Sequence, residues 1–448
     1  MRAALHNLGC KTNSYETESM KEALKNAGFE IVDFSKETPA DVYIINTCSV
    51  TNIADRKSRQ MIHRAKSFNE DAIIVAAGCF VQANAEKVLE TEPVDIVIGS
   101  SDKKNLVSSI YELMEMRNTG IIDSKKSFVT DLKQKVEFEE LKISDNTSHT
   151  RAFIKIQDGC DKYCTFCIIP FLRGHIRSRK LEDIVNEIDN LSQKGIKEFV
   201  FTGINMSAYG ADIKYEHDLA DVINSVNDLP LVERVRISSL DPDIVTVEFL
   251  EKIKNSKKVC PHFHLSLQSG SDSVLDRMKR GYTAEEYSEK CDLLREYYEN
   301  PAITTDIIMG FPGETEKMAQ ETYDYVEKIH FAAVHVFPYS KRDGTVAANM
   351  PDQIPGNIKS ERAGRLIEIT NRLKEEYNDN CIGKEDSVLI EETVEIDGVT
   401  YFTGYTTRYV KCLIQSDDSI NVGDIVNVVI DSRFDKNHML ANITNIKN

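Results

Sequence analysis

Three things are missing from this sequence of 448 residues: a long apolar run, an export signal and a surplus of positive charge. No run approaches the roughly 20 apolar residues that a membrane helix needs. The first residues, MRAALHNLGCKTN, lack the apolar core of a secretion signal. The formal net charge of −17 argues against indiscriminate nucleic-acid binding, although not against a local basic site. We therefore expect a cytoplasmic protein.

A disulfide framework is also not expected, because the ten cysteines occur in a large chain without an export signal. Three of them stand at ligand spacing, C-x3-C-x2-C, in the string DGCDKYCTFCIIP: Cys160, Cys164 and Cys167. Three thiolates on one short loop suit three irons of a cubane iron–sulfur cluster and leave the fourth iron open. Zinc is an alternative, but it usually takes four ligands, and no fourth cysteine lies nearby. Unliganded thiols are the other alternative.

Residues 1–125 alternate strand-like and helical stretches. The strands read AALHNLG, DVYIINT, AIIVAAG and VDIVIG, and helical patterns lie between them, such as 14–27, 53–68 and 102–116. This alternation predicts a parallel sheet with crossover helices. Residues 126–145 are polar, lack a strong period and are interpreted as a linker.

A second alternating series occupies residues 146–380. Its strands read AFIKI, EFVFTG, ERVRIS, HFHLSLQ, AITTDIIMG and AAVHVFPYS. About six β/α units predict a partial TIM-type barrel, with an open doubly wound sheet as the alternative. Because active sites of such barrels lie at the C-terminal strand ends, the polar groups there are candidates for binding a cofactor. They are Thr202, Gly203, Asn205, Ser239, Gln268 and Asp306.

The last segment, 381–448, has short strands separated by turns such as Asp397-Gly398. It predicts a small all-β barrel of the oligonucleotide-binding (OB) kind. The fold class is therefore α/β, with an N-terminal parallel-sheet domain, a central partial (β/α) barrel and a C-terminal β-barrel. Residues 383–448 carry six Lys or Arg and eleven Asp or Glu, which is unfavourable for contact with RNA.

Three further cysteines, Cys10, Cys48 and Cys79, are far apart in sequence but share a context. Each closely follows an apolar strand: LHNLGC, YIINTC and IIVAAGC. In a parallel sheet these strand ends meet at one edge, where ligands bind at the switch in strand order. The pattern predicts that three thiolates converge to hold a second metal cluster. Three separate buried cysteines are the alternative.

The loop spacing, placed after the first strand of a β/α barrel, resembles the radical S-adenosylmethionine superfamily. The resemblance implies that the open iron of a 4Fe-4S cluster on Cys160, Cys164 and Cys167 binds the methionine part of S-adenosylmethionine. It also implies reductive cleavage to a 5′-deoxyadenosyl radical. Phe166 matches the superfamily's aromatic position close to the adenine.

The combination of LGCKTN, NTC, GC, the C-x3-C-x2-C loop and a terminal β module resembles the methylthiotransferase family along essentially the whole chain. This resemblance implies an auxiliary 4Fe-4S cluster on Cys10, Cys48 and Cys79 and a terminal TRAM domain that meets the substrate. One S-adenosylmethionine would methylate a sulfur on the auxiliary cluster, and the radical from a second would activate the substrate carbon. Reduced flavodoxin or ferredoxin is the expected electron donor.

Three stretches resemble the threonylcarbamoyladenosine tRNA branch of that family: LGCKTNSYETE, TGINMSAYG and HVFPYSKRDGT. The isopentenyladenosine branch typically begins with a YGCQMN-like string and the ribosomal-protein branch with an LGCPKN-like string. The resemblance implies methylthiolation of C2 of N6-threonylcarbamoyladenosine at position 37 of tRNA. Modification of isopentenyladenosine or of a ribosomal-protein aspartate are alternatives. A non-catalytic iron–sulfur protein for electron transfer or binding is an alternative of a different class.

Two basic segments are candidates for holding RNA phosphates. Residues 151–180 contain seven Lys or Arg against two Asp, and 55–66 contain five against one. Phe337, Tyr339 and Tyr209 are candidates for stacking on RNA bases, with the interior of the fold as the alternative place for them.

Overall fold

The computed structural model describes residues 1–119, 125–144, 150–214, 216–415 and 420–446. The predicted α/β class is confirmed: a parallel sheet at the N-terminus, a central β/α region and a C-terminal β-barrel. Among the described helices, none is long and apolar enough to cross a membrane.

The N-terminal region is a six-stranded parallel sheet in the order β2-β1-β3-β4-β5-β6. Its elements are β1 (Arg2–Asn7), α1 (Lys11–Asn26), β2 (Glu30–Val32), β3 (Val42–Thr47), α2 (Asn52–Phe68), β4 (Ile73–Gly78), α3 (Cys79–Thr91), β5 (Ile96–Ile98), α4 (Leu106–Asn118) and β6 (Lys126–Phe128). Strands β3 and β4 are buried along their whole length, with alternate residues in two apolar clusters, one on each face. The strand order switches between β1 and β3, so these two strand ends flank the position where open α/β sheets bind ligands.

The main predicted strands of this sheet are present within two or three residues of their predicted bounds. The structure differs at β2 and β6, which were not predicted. Strand β6 occupies the start of the segment interpreted as a linker and pairs with β5. Its three residues are too few and too polar to show a strand period. The predicted boundary at 145–146 lies outside the described residues.

The central region places two parallel sheets side by side, β11-β10-β7 and β12-β13-β14-β15, with helices outside. Its elements are β7 (Arg151–Lys155), β8 (Gln157–Asp158), α5 (Ile169–Arg173), β9 (Arg177–Ser178), α6 (Leu181–Ser192), β10 (Glu198–Thr202), α7 (Leu219–Ser225), β11 (Arg234–Ile237), β12 (Ser239–Leu240), α8 (Val247–Ile253), β13 (His262–Leu265), α9 (Asp272–Met278), α10 (Ala284–Tyr297), β14 (Ala302–Met309), α11 (Glu316–Ile329), β15 (Ala333–Pro338) and α12 (Gly356–Asp379). Within the described residues, no pairing joins β15 back to β7, as expected for a partial barrel.

The apolar core of the central region lies between the strands and the outer helices. Phe199, Phe201 and Ile237 belong to it and are almost fully buried. Because side chains alternate along a strand, their neighbours Glu198, Arg234 and Arg236 face the other side, into the barrel. These three charged residues are also buried. The interior of the barrel is therefore polar, which suits a binding cavity better than a packed core.

The C-terminal region is a closed five-stranded barrel, in the order β16-β17-β18-β20-β19. Its strands are β16 (Glu385–Ile396), β17 (Val399–Thr406), β18 (Lys411–Gln415), β19 (Ile425–Arg433) and β20 (Met439–Ile446). A turn in which Tyr409 has a φ of 65° separates β17 from β18.

This small barrel closes the N-terminal end of the central strands. Arg234 donates to the carbonyl oxygen of Tyr405 at 3.0 Å, and Arg236 donates to that of Thr406 at 2.5 Å. Both guanidinium groups also pair with Glu198, which holds them in place. The opposite, C-terminal end of the strands stays available for the site.

Candidate active site

The Cys160, Cys164 and Cys167 thiols lie on the loop that follows β8. The loop approaches residues 174–175 so closely that a Cβ on Gly159 would lie 1.9 Å from the carbonyl oxygen of His175, and Gly159 has a φ of +73°. Position 159 therefore needs glycine. Burial raises the pKa of the Cys167 thiol to about 12, and Cys164 and Cys160 contribute to this rise. The structure thus brings the three predicted thiols together.

Two residues far along the chain complete the surroundings of this loop. Arg280 donates to the Cys164 Sγ at 3.2 Å and pairs with Asp241 at 3.1 Å. On the other side, the Asn205 amide lies 3.8 Å from the Cys160 Sγ. Hydrogen bonds to sulfur and nearby charge are the means by which proteins tune iron–sulfur clusters. Arg280 and Asp241 share no spacing signal with the cysteines, so neither was predictable from the sequence.

Cys10, Cys48 and Cys79 follow β1, β3 and β4, which are adjacent in the sheet, so all three lie at one edge. A Cβ on Gly9 would lie 3.2 Å from the Cys48 Sγ, which shows how closely the first two loops approach. Burial raises the pKa of the Cys48 thiol to about 11, and both Cys79 and Cys10 are close enough to contribute to this rise. The predicted convergence of the three strand-end thiols is therefore present.

Neither cysteine trio, as placed in the structure, has the close ligand spacing of a single zinc ion. A zinc ion binds each sulfur at about 2.3 Å, so its ligands lie close to one another. Among the described residues, the group with three ligand atoms within 4.8 Å of one another is His264, Asp306 and His335 rather than either cysteine trio.

A buried cluster of charges, called here the ion core, connects the two cysteine loops. Its members are Glu16 of α1, Lys103, Lys155, Asp158 and Arg173. Burial alone would raise the pKa of Glu16, but Arg173, Lys103 and Lys155 hold it far below its ordinary range. A carboxylate paired with several cations stays ionised in the interior.

The ion core also reaches the Cys10 loop directly. Arg173 donates to Asn13 Oδ1 at 2.9 Å, and the Asn13 amide donates to the carbonyl oxygens of Leu8 and Thr47. The Cys10 thiol lies 3.7 Å from the same Asn13 oxygen. Hydrogen bonds thus connect the Cys10 loop to α5, the helix that follows the loop of Cys160, Cys164 and Cys167.

Two of the candidate cofactor residues, Phe166 and Gln268, lie near β14. Phe166 packs against a small apolar cluster that includes Phe311 and Tyr339, beyond the ends of β14 and β15. Gln268 has a φ of +77°, and its backbone bonds to the Asp306 carbonyl and the Ile308 amide. This left-handed conformation is strained for a residue with a side chain, and such strain clusters at functional sites.

The earlier strand ends are more crowded. Thr202 is buried, and its hydroxyl lies 3.4 Å from that of Thr12, across the contact between the N-terminal and central regions. Gly203 is closely packed, since an added Cβ would lie 3.0 Å from Gln157 Oε1. Gln157 Oε1 accepts a hydrogen bond from the backbone N–H of Asn205 at 2.8 Å, which leaves the Asn205 side chain free to face Cys160, whereas Ser239 is exposed. Asn205 and Ser239 are therefore better placed to meet a ligand than Thr202 and Gly203.

The two basic segments turn out differently. In 151–180, most of the cations are buried: Lys155, Arg173, Arg177 and Arg179. They pair with interior carboxylates such as Asp158 and Glu187, so the prediction that this segment presents a phosphate-binding patch is wrong. A local charge count cannot distinguish surface cations from those of a buried network.

Helix α2 keeps the second basic segment on the surface, with Arg56, Lys57, Arg59 and Arg64 exposed. The candidate stacking aromatics separate in the same way. Tyr209 and Tyr339 are buried, whereas Phe337 is 45% exposed. Of the charged C-terminal residues, Asp417, Asp418 and Lys447 lie outside the described residues.

A cavity of about 1020 Å³ opens beside both cysteine trios. Its lining includes Gln82, three residues after Cys79, and Tyr163, which precedes Cys164. The exposed rings of Tyr163 and Phe171 meet edge to face, 5.7 Å apart. Exposed aromatics beside the two loops are suited to contact a large, planar partner.

Two family profiles match the chain. The radical SAM superfamily covers residues 154–326. An uncharacterised protein family, UPF0004, covers residues 2–99. The two matches correspond to the central region and the N-terminal sheet, the regions that carry the two cysteine trios.

Solved structures under 25% identical support the fold. A radical S-adenosylmethionine methyltransferase, TsrM, from Kitasatospora setae superimposes with a TM-score of 0.57 at 15% identity, over 78% of this chain and 74% of that one. The TsrM structure contains bound cobalamin and a [4Fe-4S] cluster. This similarity confirms the arrangement of the central region.

Sequence relatives are much closer. The threonylcarbamoyladenosine tRNA methylthiotransferase MtaB of Bacillus subtilis is 40% identical, over 95% of this chain and 93% of its own length. The enzyme of that name from Aquifex aeolicus is 38% identical, over 96% and 100%. A tRNA-2-methylthio-N(6)-dimethylallyladenosine synthase of Thermoanaerobacter pseudethanolicus is 35% identical, over 95% and 89%. Because the similarity extends over nearly the whole of each relative, this chain belongs to the radical S-adenosylmethionine methylthiotransferase family, in its threonylcarbamoyladenosine branch.

Proposed function

We propose that this enzyme adds a methylthio group to C2 of N6-threonylcarbamoyladenosine at position 37 of tRNA, with two 4Fe-4S clusters. The observation that carries the proposal is the pair of thiol trios, one on a single loop and one at the sheet edge, connected through the ion core. A non-catalytic electron carrier would not need two such trios beside a large cavity. Nor would it need a barrel lined with polar groups.

In this proposal, Cys160, Cys164 and Cys167 hold the cluster that binds S-adenosylmethionine, and Cys10, Cys48 and Cys79 hold the auxiliary cluster. When bound, these groups supply a methylthio group and the radical chemistry that attaches it to an unactivated carbon. The chain's own task is to position the reactants. The ion core fixes the relative position of the two loops, and the C-terminal barrel closes the far end of the strands.

The remaining site residues receive positioning roles. Phe166 packs beside the adenine, and Asn205 and Ser239 meet the polar parts of S-adenosylmethionine. The strained Gln268 shapes the neighbouring wall, and Asp306 faces the barrel interior. Thr202 and Gly203 support the site, because the Thr202 hydroxyl lies beside that of Thr12 and Gly203 packs closely on Gln157.

The substrate assignment rests on the relatives. Three relatives named for threonylcarbamoyladenosine in tRNA are 38–40% identical to this chain. Relatives named for dimethylallyladenosine are 34–35% identical, so that substrate is the second candidate. Exposed cations of α2 support contact with RNA phosphates. Reduced flavodoxin or ferredoxin as electron donor and a cytoplasmic location stay predictions.

The test uses the full chain, reconstituted with iron and sulfide without oxygen. We expect about eight irons per chain, as two cubanes require. The loaded enzyme is given S-adenosylmethionine, a reductant and synthetic anticodon stem–loops that carry threonylcarbamoyladenosine or isopentenyladenosine. Mass spectrometry of the nucleosides should show the methylthio product from the first RNA. About four irons, or product from the second RNA alone, would contradict the proposal.

A further inference from the structure

The barrel interior contains one small group of polar side chains that the two clusters do not explain. His264 lies on β13, Asp306 on β14 and His335 on β15, with one polar atom of each within 4.8 Å of the others. His264 Nε2 lies 3.3 Å from Asp306 Oδ2. His264 is nine-tenths buried, and among the described residues its Nε2 has no hydrogen-bond partner of good geometry. Because the Asp306 carboxylate is close to this buried nitrogen but poorly aligned with it, a ligand would be a better hydrogen-bond partner.

Lys11, the residue after Cys10, reaches the same place from the N-terminal region. Its charge acts on Arg151, Arg236, His262, Asp306 and His335. These residues belong to five different strands, β7, β11, β13, β14 and β15. The backbone agrees with this direction, because the next residue, Thr12, lies 3.4 Å from Thr202 at the C-terminal end of β10.

Lys11 also differs from the other cations of the barrel in its pairing. Arg234 and Arg236 are both paired with Glu198 and hold the C-terminal barrel. For Lys11, the described part of the chain offers no hydrogen bond or ion pair. The Lys11 side chain is also exposed. Asp306 acts on the charge of Lys11, but among the described residues no ion pair joins the two, so Lys11 is available to an anionic ligand.

The same group could be considered for a divalent cation, because two imidazoles and a carboxylate form a known metal-binding set. The positive charge of Lys11 opposes that occupant. A ligand with both an anionic group and a hydrogen-bond donor satisfies all the side chains better. The anionic group of such a ligand would pair with Lys11, and its donor group would hydrogen-bond to the Asp306 carboxylate.

Two of these residues lie in stretches that resemble the threonylcarbamoyladenosine branch of the family. Lys11 is in LGCKTNSYETE and His335 is in HVFPYSKRDGT, far apart in the sequence, yet the charge of Lys11 acts on His335 in the folded chain. The branches that modify tRNA differ in the group on N6 of the adenosine. A threonylcarbamoyl group has a carboxylate and a hydroxyl, whereas an isopentenyl group has neither.

We propose that Lys11 binds the carboxylate of the threonylcarbamoyl group and that His264, Asp306 and His335 bind its hydroxyl and urea groups. Lys11 is thus the residue that selects the substrate. This inference rests on the proposed function, because it names the part of the substrate that the barrel reads. Phe337, two residues after His335 on the same side of β15, is exposed beside it and can pack against the base.

The test measures RNA binding in the absence of S-adenosylmethionine, so that a contact between Lys11 and the cofactor's carboxylate does not enter. Three stem–loops are compared: one with threonylcarbamoyladenosine, one with its methyl ester and one with unmodified adenosine. The wild-type chain should prefer the acid over the ester by about ten- to hundredfold, as expected for a hydrogen bond to a charged group. Lys11→Gln should remove this preference, and Lys11→Arg should keep most of it.

Two controls keep the result specific. Lys317→Gln removes a lysine whose side chain is 88% exposed on the outside of α11, and it should leave the preference unchanged. Iron content shows whether a change next to Cys10 has disturbed the cluster, and His335→Leu, distant from both trios in sequence, should also weaken the acid preference. Retention of the full preference by Lys11→Gln with normal iron content overturns the proposal. A wild-type chain that does not favour threonylcarbamoyladenosine over adenosine overturns the substrate assignment itself.

Discussion

The two cysteine trios reach similar arrangements by different routes. Cys160, Cys164 and Cys167 lie within eight residues, and their convergence is a property of one loop. Cys10, Cys48 and Cys79 come from three strand ends, so their convergence depends on the register of β1, β3 and β4. The first trio is therefore fixed locally, whereas the second exists only when the sheet is folded. The ion core connects the two trios, so the placement of Cys10, Cys48 and Cys79 depends on that of the Cys160–Cys167 loop.

The largest expected effect comes from removing one thiol from each trio in turn, because the two substitutions should abolish different products. Cys164→Ala should reduce the formation of 5′-deoxyadenosine to background, because the cluster that binds S-adenosylmethionine loses a ligand. Cys48→Ala should leave this cleavage in place and abolish the methylthio product. Both products are measured by mass spectrometry in the same reaction.

The control is Cys291→Ala, which removes a buried thiol of α10 that belongs to neither trio. It should retain both activities once the chain is folded. If Cys48→Ala still makes the methylthio product, then the N-terminal trio does not hold the sulfur-carrying cluster.

The second prediction concerns the dependence of one trio on the other. Arg173→Met leaves Glu16 and Asp158 of the ion core short of a positive partner in the interior. Breaking a buried pair in this way typically costs about 3–5 kcal/mol. Denaturant unfolding should show this loss of stability. During unfolding, iron should be lost from Cys10, Cys48 and Cys79 before it is lost from Cys160, Cys164 and Cys167.

The matched change is Arg372→Met, because Arg372 pairs with Glu327 and Glu376 on the surface. Exposed pairs contribute at most about 1 kcal/mol. Equal destabilisation by the two substitutions would mean that the ion core has no special role in the fold.

The same contrast explains what could be predicted from the sequence. The spacing of Cys160, Cys164 and Cys167 is visible in a single string, and the apolar runs before Cys10, Cys48 and Cys79 place them on one sheet edge. Long apolar strands such as β3 and β14 were also predictable from their composition. These features depend on neighbouring residues in the chain.

Features that depend on pairing across the fold were not predictable. The composition of 151–180 indicates a basic surface patch, but Arg173 and Arg179 are fully buried against carboxylates of other elements. The contact of Arg280 with Cys164 joins residues 116 positions apart. A short polar strand such as β6 is recognisable only beside its partner, β5.

The third prediction concerns only the cluster on Cys160, Cys164 and Cys167. Arg280 brings a positive charge to the Cys164 Sγ, which favours the more negative, reduced form of a cluster bound there. Arg280→Met should therefore lower the reduction potential of that cluster, by roughly 50 mV on a Coulomb estimate at intermediate dielectric. A redox titration followed by electron paramagnetic resonance measures the shift. The auxiliary cluster should keep its potential, and a shift of both clusters together would contradict the assignment.

The smallest expected effect concerns the two basic segments, 55–66 and 151–180. Lys57 on α2 is exposed, close in sequence to Cys48, whereas Lys155 is buried in the ion core. Lys57→Gln should weaken stem–loop binding a few-fold at low salt and reduce the slope of log affinity against log salt by about one, because one phosphate contact is lost. Lys317→Gln should change neither quantity. If Lys57→Gln leaves the slope unchanged, then α2 does not contact the backbone and the RNA approaches from another side of the cavity. Since most of the cations of 151–180 are paired with interior carboxylates, the exposed aromatic pair of Tyr163 and Phe171 would be the next surface to test.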